Sequence, residues 1–176
     1  YILDSVQKEE GKANGTAWSF RISRSKEVLN FGMMSIYASY VKIGTNTLRH
    51  EYGYNNFTNR NKALGREFGN DGHDFNIGIK FYDQRKFFIK TVLSLKEVGS
   101  KNLLDAPYSP YDNYLDGPFP SGKKNKEIEF RLSFLSWIKP NLNLMSKIGF
   151  KSVNNDRLQS FLNFKVDYFL PIIFYN

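Results

Sequence analysis

Cysteine is absent from the 176-residue sequence, which excludes a disulfide framework and any thiolate metal site. That absence fits a cytosolic protein and a bacterial envelope protein equally, so the compartment stays open. Long hydrophobic runs are missing too. Nothing approaches the ~18 to 20 consecutive apolar residues of a transmembrane helix, and apolar residues at helical spacing are nowhere sustained. A helical membrane protein is excluded; a β-barrel is not. No signal peptide opens the chain, and it starts at Tyr1 without an initiator Met, as expected of a processed chain or a piece of a longer one.

Catalytic and metal signatures are equally scarce. The two histidines, His50 and His73, fall in different segments and are expected at loop or strand ends, not as metal ligands. "EFGNDGHD" fails as a calcium loop, because Gly69 stands at an acidic position and Gly78 at the final Glu. There is no phosphate-binding Gly-Lys-Ser/Thr loop and no G-x-S-x-G elbow. Asp71, Asp74, Asp105, Asp112 and Asp116 are expected to be solvated loop acids, not a hydrolase pair. The expectation is a protein without enzymatic activity, metal or cofactor.

What the chain does have is apolar and aromatic content, 41% and 16%, too much for a disordered tail. Its residues alternate with a period of two. Eight strands are predicted: Thr16 to Arg24, Val28 to Ile43, Thr47 to Asn56, Asp74 to Tyr82, Lys86 to Val98, Glu127 to Ile138, Asn141 to Val153 and Arg157 to Tyr168. In "EIEFRLSFLSWI", Ile128, Phe130, Leu132 and Phe134 share one face, and Glu127, Glu129, Arg131 and Ser133 the other. In the second strand Met33, Tyr37 and Val41 are assigned to the apolar face.

The turns "SKE", "GTN", "DQR", "KPN" and "NND" join several neighbours, while 57–73 and 99–126 are long connections. In sequential up-and-down order the two long loops emerge at one end and "GTN", "DQR" and "KPN" at the other, with both chain ends on that second side. This asymmetry is that of an outer-membrane barrel, and the later strands reach the ~9 to 11 residues that cross a bilayer. A soluble lipocalin-like barrel or sandwich is the competing architecture. Aromatic residues near strand ends (Tyr37, Tyr40, Tyr82, Phe87, Trp137, Tyr168) and the aromatic terminus "VDYFLPIIFYN" favour the membrane form. The expected fold is all-β, an antiparallel up-and-down transmembrane barrel in one domain or the C-terminal part of one, located in the bacterial outer membrane among lipid and lipopolysaccharide.

The net charge is +8. A lipid-facing Lys or Arg near the midplane costs about 2 to 4 kcal/mol, so Lys80, Lys90, Lys96, Arg131, Lys147, Lys151 and Lys165 are placed on the interior face, with Glu127, Glu129 and Asp167 as the acidic minority. Such a wall attracts acidic polysaccharide or other anions; equally, these are solvated lysines paired with nearby acids. No nucleic-acid reader motif accompanies the charge. In "DAPYSPYDNYLDGPFP", Tyr108, Tyr111, Tyr114 and Phe119 are interleaved with prolines, which suits either a carbohydrate-contacting or pore-constricting loop or a self-packed one.

The segment "LRHEYGYNNFTNRNKALGREFGNDGHDFNIGIKF" resembles the Wzi-type capsule assembly family. The matching residues are Tyr52, Tyr54, Leu64, Gly65, Gly69, Asn70 and Asp71; the frequent His after the Leu-Gly is Arg66 here, and the chain is shorter than a complete member. The resemblance implies a non-enzymatic outer-membrane barrel that binds or organises surface polysaccharide, present here as a C-terminal portion. Two alternatives stand beside it: a porin or channel for anions or oligosaccharides, and a small closed eight-stranded barrel plugged by side chains.

Overall fold

The computed structural model describes residues 15–28, 32–49, 56–83, 86–105, 118–139 and 141–169. They form nine strands: β1 (Ala17–Val28), β2 (Gly32–Ile43), β3 (Thr58–Asn59), β4 (Lys62–Ala63), β5 (Gly72–Tyr82), β6 (Phe87–Gly99), β7 (Lys124–Lys139), β8 (Leu142–Val153) and β9 (Gln159–Tyr168). Seven make one antiparallel sheet in the order β1-β2-β5-β6-β7-β8-β9, and β3 and β4 form a separate two-stranded ribbon. No helix occurs among the described residues. Alternating β-branched and aromatic side chains suit a pleated backbone, and in both two-residue turns asparagine accepts the left-handed conformation. Asn154 and Asn155 have φ of 53° and 62°, and Arg60 and Asn61 have 49° and 59°, the pattern of turns that match strand twist.

Three expectations are corrected. The sheet has seven strands with β1 and β9 as its edges, so the described residues form no closed barrel. The strand expected at Thr47 to Asn56 is a turn at 45–48, with residues 50–55 outside the described set. Leu48 there has φ of 62°, and the Asn70 side-chain amide donates to the carbonyls of Thr45 and Thr47 at 2.5 and 3.0 Å, taking acceptors a strand ladder would use. Third, Ser25, Lys26 and Glu27 lie inside β1, since none of them needs a turn conformation, and Gly44, Thr45 and Asn46 open the long connection to β5 instead of closing a hairpin.

The chain divides into two compact units, Tyr1–Phe20 with Ser39–Phe75 and Leu95–Glu127, and Arg21–Ala38 with Asn76–Ser94 and Ile128–Asn176. The first holds both long connections and a small core of Val41, Ile43 and Phe68, with Val98 packed against it. The second holds the β8–β9 hairpin, paired from Leu142↔Tyr168 to Lys151↔Gln159.

Candidate anion-binding face

In β5 and at the start of β7, exposure runs opposite to that of a water-soluble sheet. On β5 of the second unit, Ile77 and Ile79 are 42% and 46% exposed, whereas Asn76, Gly78 and Lys80 on the other face are more covered. On β7, Ile128 and Phe130 are exposed and Glu129 is half-buried. Along β9, Leu162, Phe164 and Val166 are all exposed, Leu162 by 74%. In the first unit Trp18, Phe20, Phe75 and Leu95 are likewise exposed. At 128–130 the apolar residues are the uncovered ones, whereas farther along β7 Arg131 is exposed and Leu132 and Phe134 are half-buried. For β2 the expected set divides: Met33 is exposed, Tyr37 and Val41 are buried, and Ile36 of the opposite parity is exposed.

Aromatic rings line this apolar face in two rows. In the first unit Trp18 and Tyr40 are 4.9 Å apart, Tyr40 and His73 5.9 Å, and His73 and Phe119 6.1 Å, with the Lys42 ammonium 4.4 Å from the Phe119 ring centre. In the second, Phe81 and Phe87 are 5.7 Å apart and Phe87 and Phe134 6.2 Å. Tyr82 and Trp137 meet edge to face at 6.4 Å; they have the parity of Lys80 and Arg131, so Trp137 does not join the row.

The other face of the second unit carries the cations, Lys80 and Lys90 half-buried and Arg21, Arg131 and Lys147 exposed. Arg21 on β1 lies 4.3 Å from the ring centre of Tyr37 on β2, and Lys80 on β5 lies 5.4 Å from the same ring centre, so one aromatic ring holds two cations. Space for the ring comes from Gly78, where a Cβ would stand 2.6 Å from ring carbons of Tyr37. Lys90 on β6 feels the charges of Lys80, Arg131, Arg21 and Lys147. In a flat sheet β1 and β6 are ~14 Å apart at ~4.8 Å per strand, so Arg21 and Lys90 act on one another across the strands between them. The result is a row, Arg21, Lys80, Lys90, Arg131, Lys147, with one cation on each of β1, β5, β6, β7 and β8.

Of the seven cations expected on this face, the structure gathers Lys80, Lys90, Arg131 and Lys147. Lys96 is in the first unit, bonded to Glu127 at 2.9 Å, and Lys165 is bonded to Asp167 at 2.9 Å. Lys151 lies farther along β8, opposite Gln159. Glu129 accepts from Arg131 Nε at 2.9 Å. Among the described residues, no carboxylate lies within ion-pair distance of Lys90 or Lys147. Arg21 and Tyr37 were not anticipated from sequence; the parity of Arg21, opposite Trp18, Phe20 and Ile22, was the available signal. No group of three or more His, Cys, Asp or Glu that could hold a metal is found among the described residues.

The Gly69-Asn70-Asp71 segment is a structural latch inside the first unit. Asn70 and Asp71 are fully buried. Asp71 accepts hydrogen bonds from Thr45 Oγ1 at 2.7 Å, Ser121 N at 2.9 Å and Ser121 Oγ at 2.5 Å, and Asn70 Oδ1 accepts from Leu103 N at 2.7 Å. Both long connections are thereby tied to the start of β5. Asp71 is therefore not the solvated loop acid expected. Asp74 is also buried, with Arg66 Nη1 3.5 Å away; Asp105 is exposed. Leu64 and Gly65 are exposed. Tyr108, Tyr111 and Tyr114 lie outside the described residues, as do Asp112, Asp116, Tyr52 and Tyr54; Phe119 packs by His73.

Comparison of the chain with protein-family models, with curated proteins and with solved structures finds no match.

Proposed function

We propose that this chain is wall of an outer-membrane β-barrel whose apolar face meets lipid and whose basic face binds or organises anionic surface polysaccharide, without enzymatic activity. The observation that carries the reading is the inverted exposure. A soluble half-buried sheet covers its apolar face, but here Ile77, Ile79, Ile128 and Leu162 are uncovered. An uncovered apolar surface of this extent calls for an apolar medium or partner. Aromatic rows support a bilayer, since outer-membrane barrels carry an apolar band ~25 Å tall bounded by aromatic girdles. The resemblance of Leu64, Gly65, Gly69, Asn70 and Asp71 to the Wzi-type pattern supports the polysaccharide part, although the buried Asn70 and Asp71 serve it by shaping the loops.

The test is flotation with liposomes after refolding, followed by binding to a panel of surface polysaccharides. Co-flotation and retention of acidic glycans are expected. Recovery of folded monomer from detergent-free buffer would remove the membrane reading. The basic row also suits an anion channel, and steady anion-selective conductance in planar bilayers, without glycan retention, would favour that alternative.

A further inference from the structure

The row Arg21, Lys80, Lys90, Arg131, Lys147 raises a question of electrostatics. Like charges that converge on one another destabilise a fold unless something of opposite sign joins them, because Coulomb energies of several kcal/mol operate between close charges away from bulk water. Glu129 answers one of the five, through Arg131. Tyr37 steadies two more, but a ring face offers only about 0.5 to 2 kcal/mol and leaves the net charge unchanged. Lys90 and Lys147 have no carboxylate at ion-pair distance among the described residues. Elsewhere the same sheet pairs its lysines: Lys96 with Glu127, Lys124 with Glu97 and Lys165 with Asp167. Along this row, by contrast, only Arg131 has a carboxylate partner among the described residues.

The geometry of the row sets the shape of what would neutralise it. Its cations sit on successive strands apart from β2, where Tyr37 fills the gap, so they step across the sheet at ~4.8 Å per strand. A single small anion would meet two or three of them. An extended chain with an oxyanion on each repeat unit would meet all five, and one sugar unit is close to one strand spacing in length.

We propose that the row is a linear site for a chain of oxyanions, running across the strands, in which Lys90 and Lys147 are the free cations that grip it and Tyr37 is a positioning residue that holds Arg21 and Lys80 in line. This inference rests on the reading of the basic face as the ligand face. The shared chemistry is a repeated carboxylate or phosphate group. Its sources are a uronic-acid glycan or a phosphate chain, and separate arms of the test tell them apart.

Calorimetric titration of the folded protein in detergent uses galacturonate, its dimer and its tetramer in one arm, phosphate and tripolyphosphate in a second, and maltotetraose as the neutral control. Affinity is expected to rise at least about tenfold from monomer to longest chain in at least one anionic arm, as further charge-assisted contacts are added, and to fall with added salt. Lys90→Gln and Lys147→Gln should each weaken the longest chain by about tenfold. Lys165→Gln, which removes a cation already paired, should leave it unchanged. Tyr37→Leu should weaken the tetramer or tripolyphosphate while Tyr37→Phe restores it, because the phenyl ring keeps the cation contacts. Thermal unfolding of each variant establishes that it is folded. The arm that shows the length dependence names the source. Equal affinity for monomer and chain, binding of maltotetraose, or unchanged binding by folded Lys90→Gln and Lys147→Gln would each overturn the site. Liposome flotation is scored separately: protein that floats and binds no anionic chain sinks this inference alone, and protein that binds but never floats sinks the membrane reading alone.

Discussion

Tyr37 lies across Gly78. A Cβ at Gly78 would stand 2.6 Å from Cε1 and Cζ of the ring and 2.7 Å from its hydroxyl. The strand pair therefore admits either this ring or a side chain at 78, and the ring is what supports Arg21 and Lys80. Gly78→Val is expected to destabilise the protein by about 1 to 3 kcal/mol through overpacking, read from urea unfolding in detergent. Tyr37→Phe should be close to neutral in the same measurement, because the ring itself carries both cation contacts.

Ile77 gives the sharpest reading of the surrounding medium. Ile77→Arg in a lipid-facing midplane position should cost about 2 to 4 kcal/mol, whereas an exposed substitution in water is usually within about 0.5 kcal/mol. Unfolding titrations in liposomes measure the difference, and a value at the lower level would contradict the lipid-facing assignment.

Asp71→Asn is expected to loosen both long connections. The carboxylate accepts three hydrogen bonds, and its replacement puts an amide donor against at least one of those donors, at a cost of about 1 to 3 kcal/mol. Faster tryptic cleavage at Lys101 and Lys123, with the β8–β9 hairpin still protected, is the expected result. Unchanged cleavage would show that the latch does not hold the loops.

Phe161 repeats on the β8–β9 hairpin what Tyr37 does on β2. It is the Cα partner of Gly149, and a Cβ at Gly149 would come within 2.2 Å of its ring. Phe161→Ala should lose about 0.2 to 1 kcal/mol of cross-strand packing and raise amide hydrogen exchange in this hairpin more than in β5 and β6.

Much of the sheet was legible because the period of two is undisturbed where one face is polar. Asn76, Gly78 and Lys80 against Phe75, Ile77 and Ile79, or Glu127 and Glu129 against Ile128 and Phe130, give strand and faces together. The face of β2 was not legible. Tyr37, Val41 and Ile43 turn towards the covered side, beneath Arg21 and Lys80 or against Phe68, while Ile36 and Tyr40 take the other, so both faces are apolar and alternation carries no sign. The turn at 45–48 escaped because its partner, Asn70, is distant in sequence. Four cations of the row could be read from parity alone. Their interaction across strands, and the ion pairs that set Lys96 and Lys165 apart, depend on neighbouring strands and loops that no single segment displays.

β7 is longer than the strands beside it, at 16 residues against 13 for β6 and 12 for β8. Fully extended it measures ~53 Å, and at a tilt of ~40° it stands ~40 Å high, against an apolar band of ~25 Å. Its surplus lies where the apolar face stops: beyond Ile128 and Leu95 the same face carries Lys124 and Glu97, 3.3 Å apart, a pair suited to water or lipid headgroups and not to hydrocarbon. In the proposed membrane reading the Lys124–Glu97 pair would mark the waterline on the lipid side of the wall.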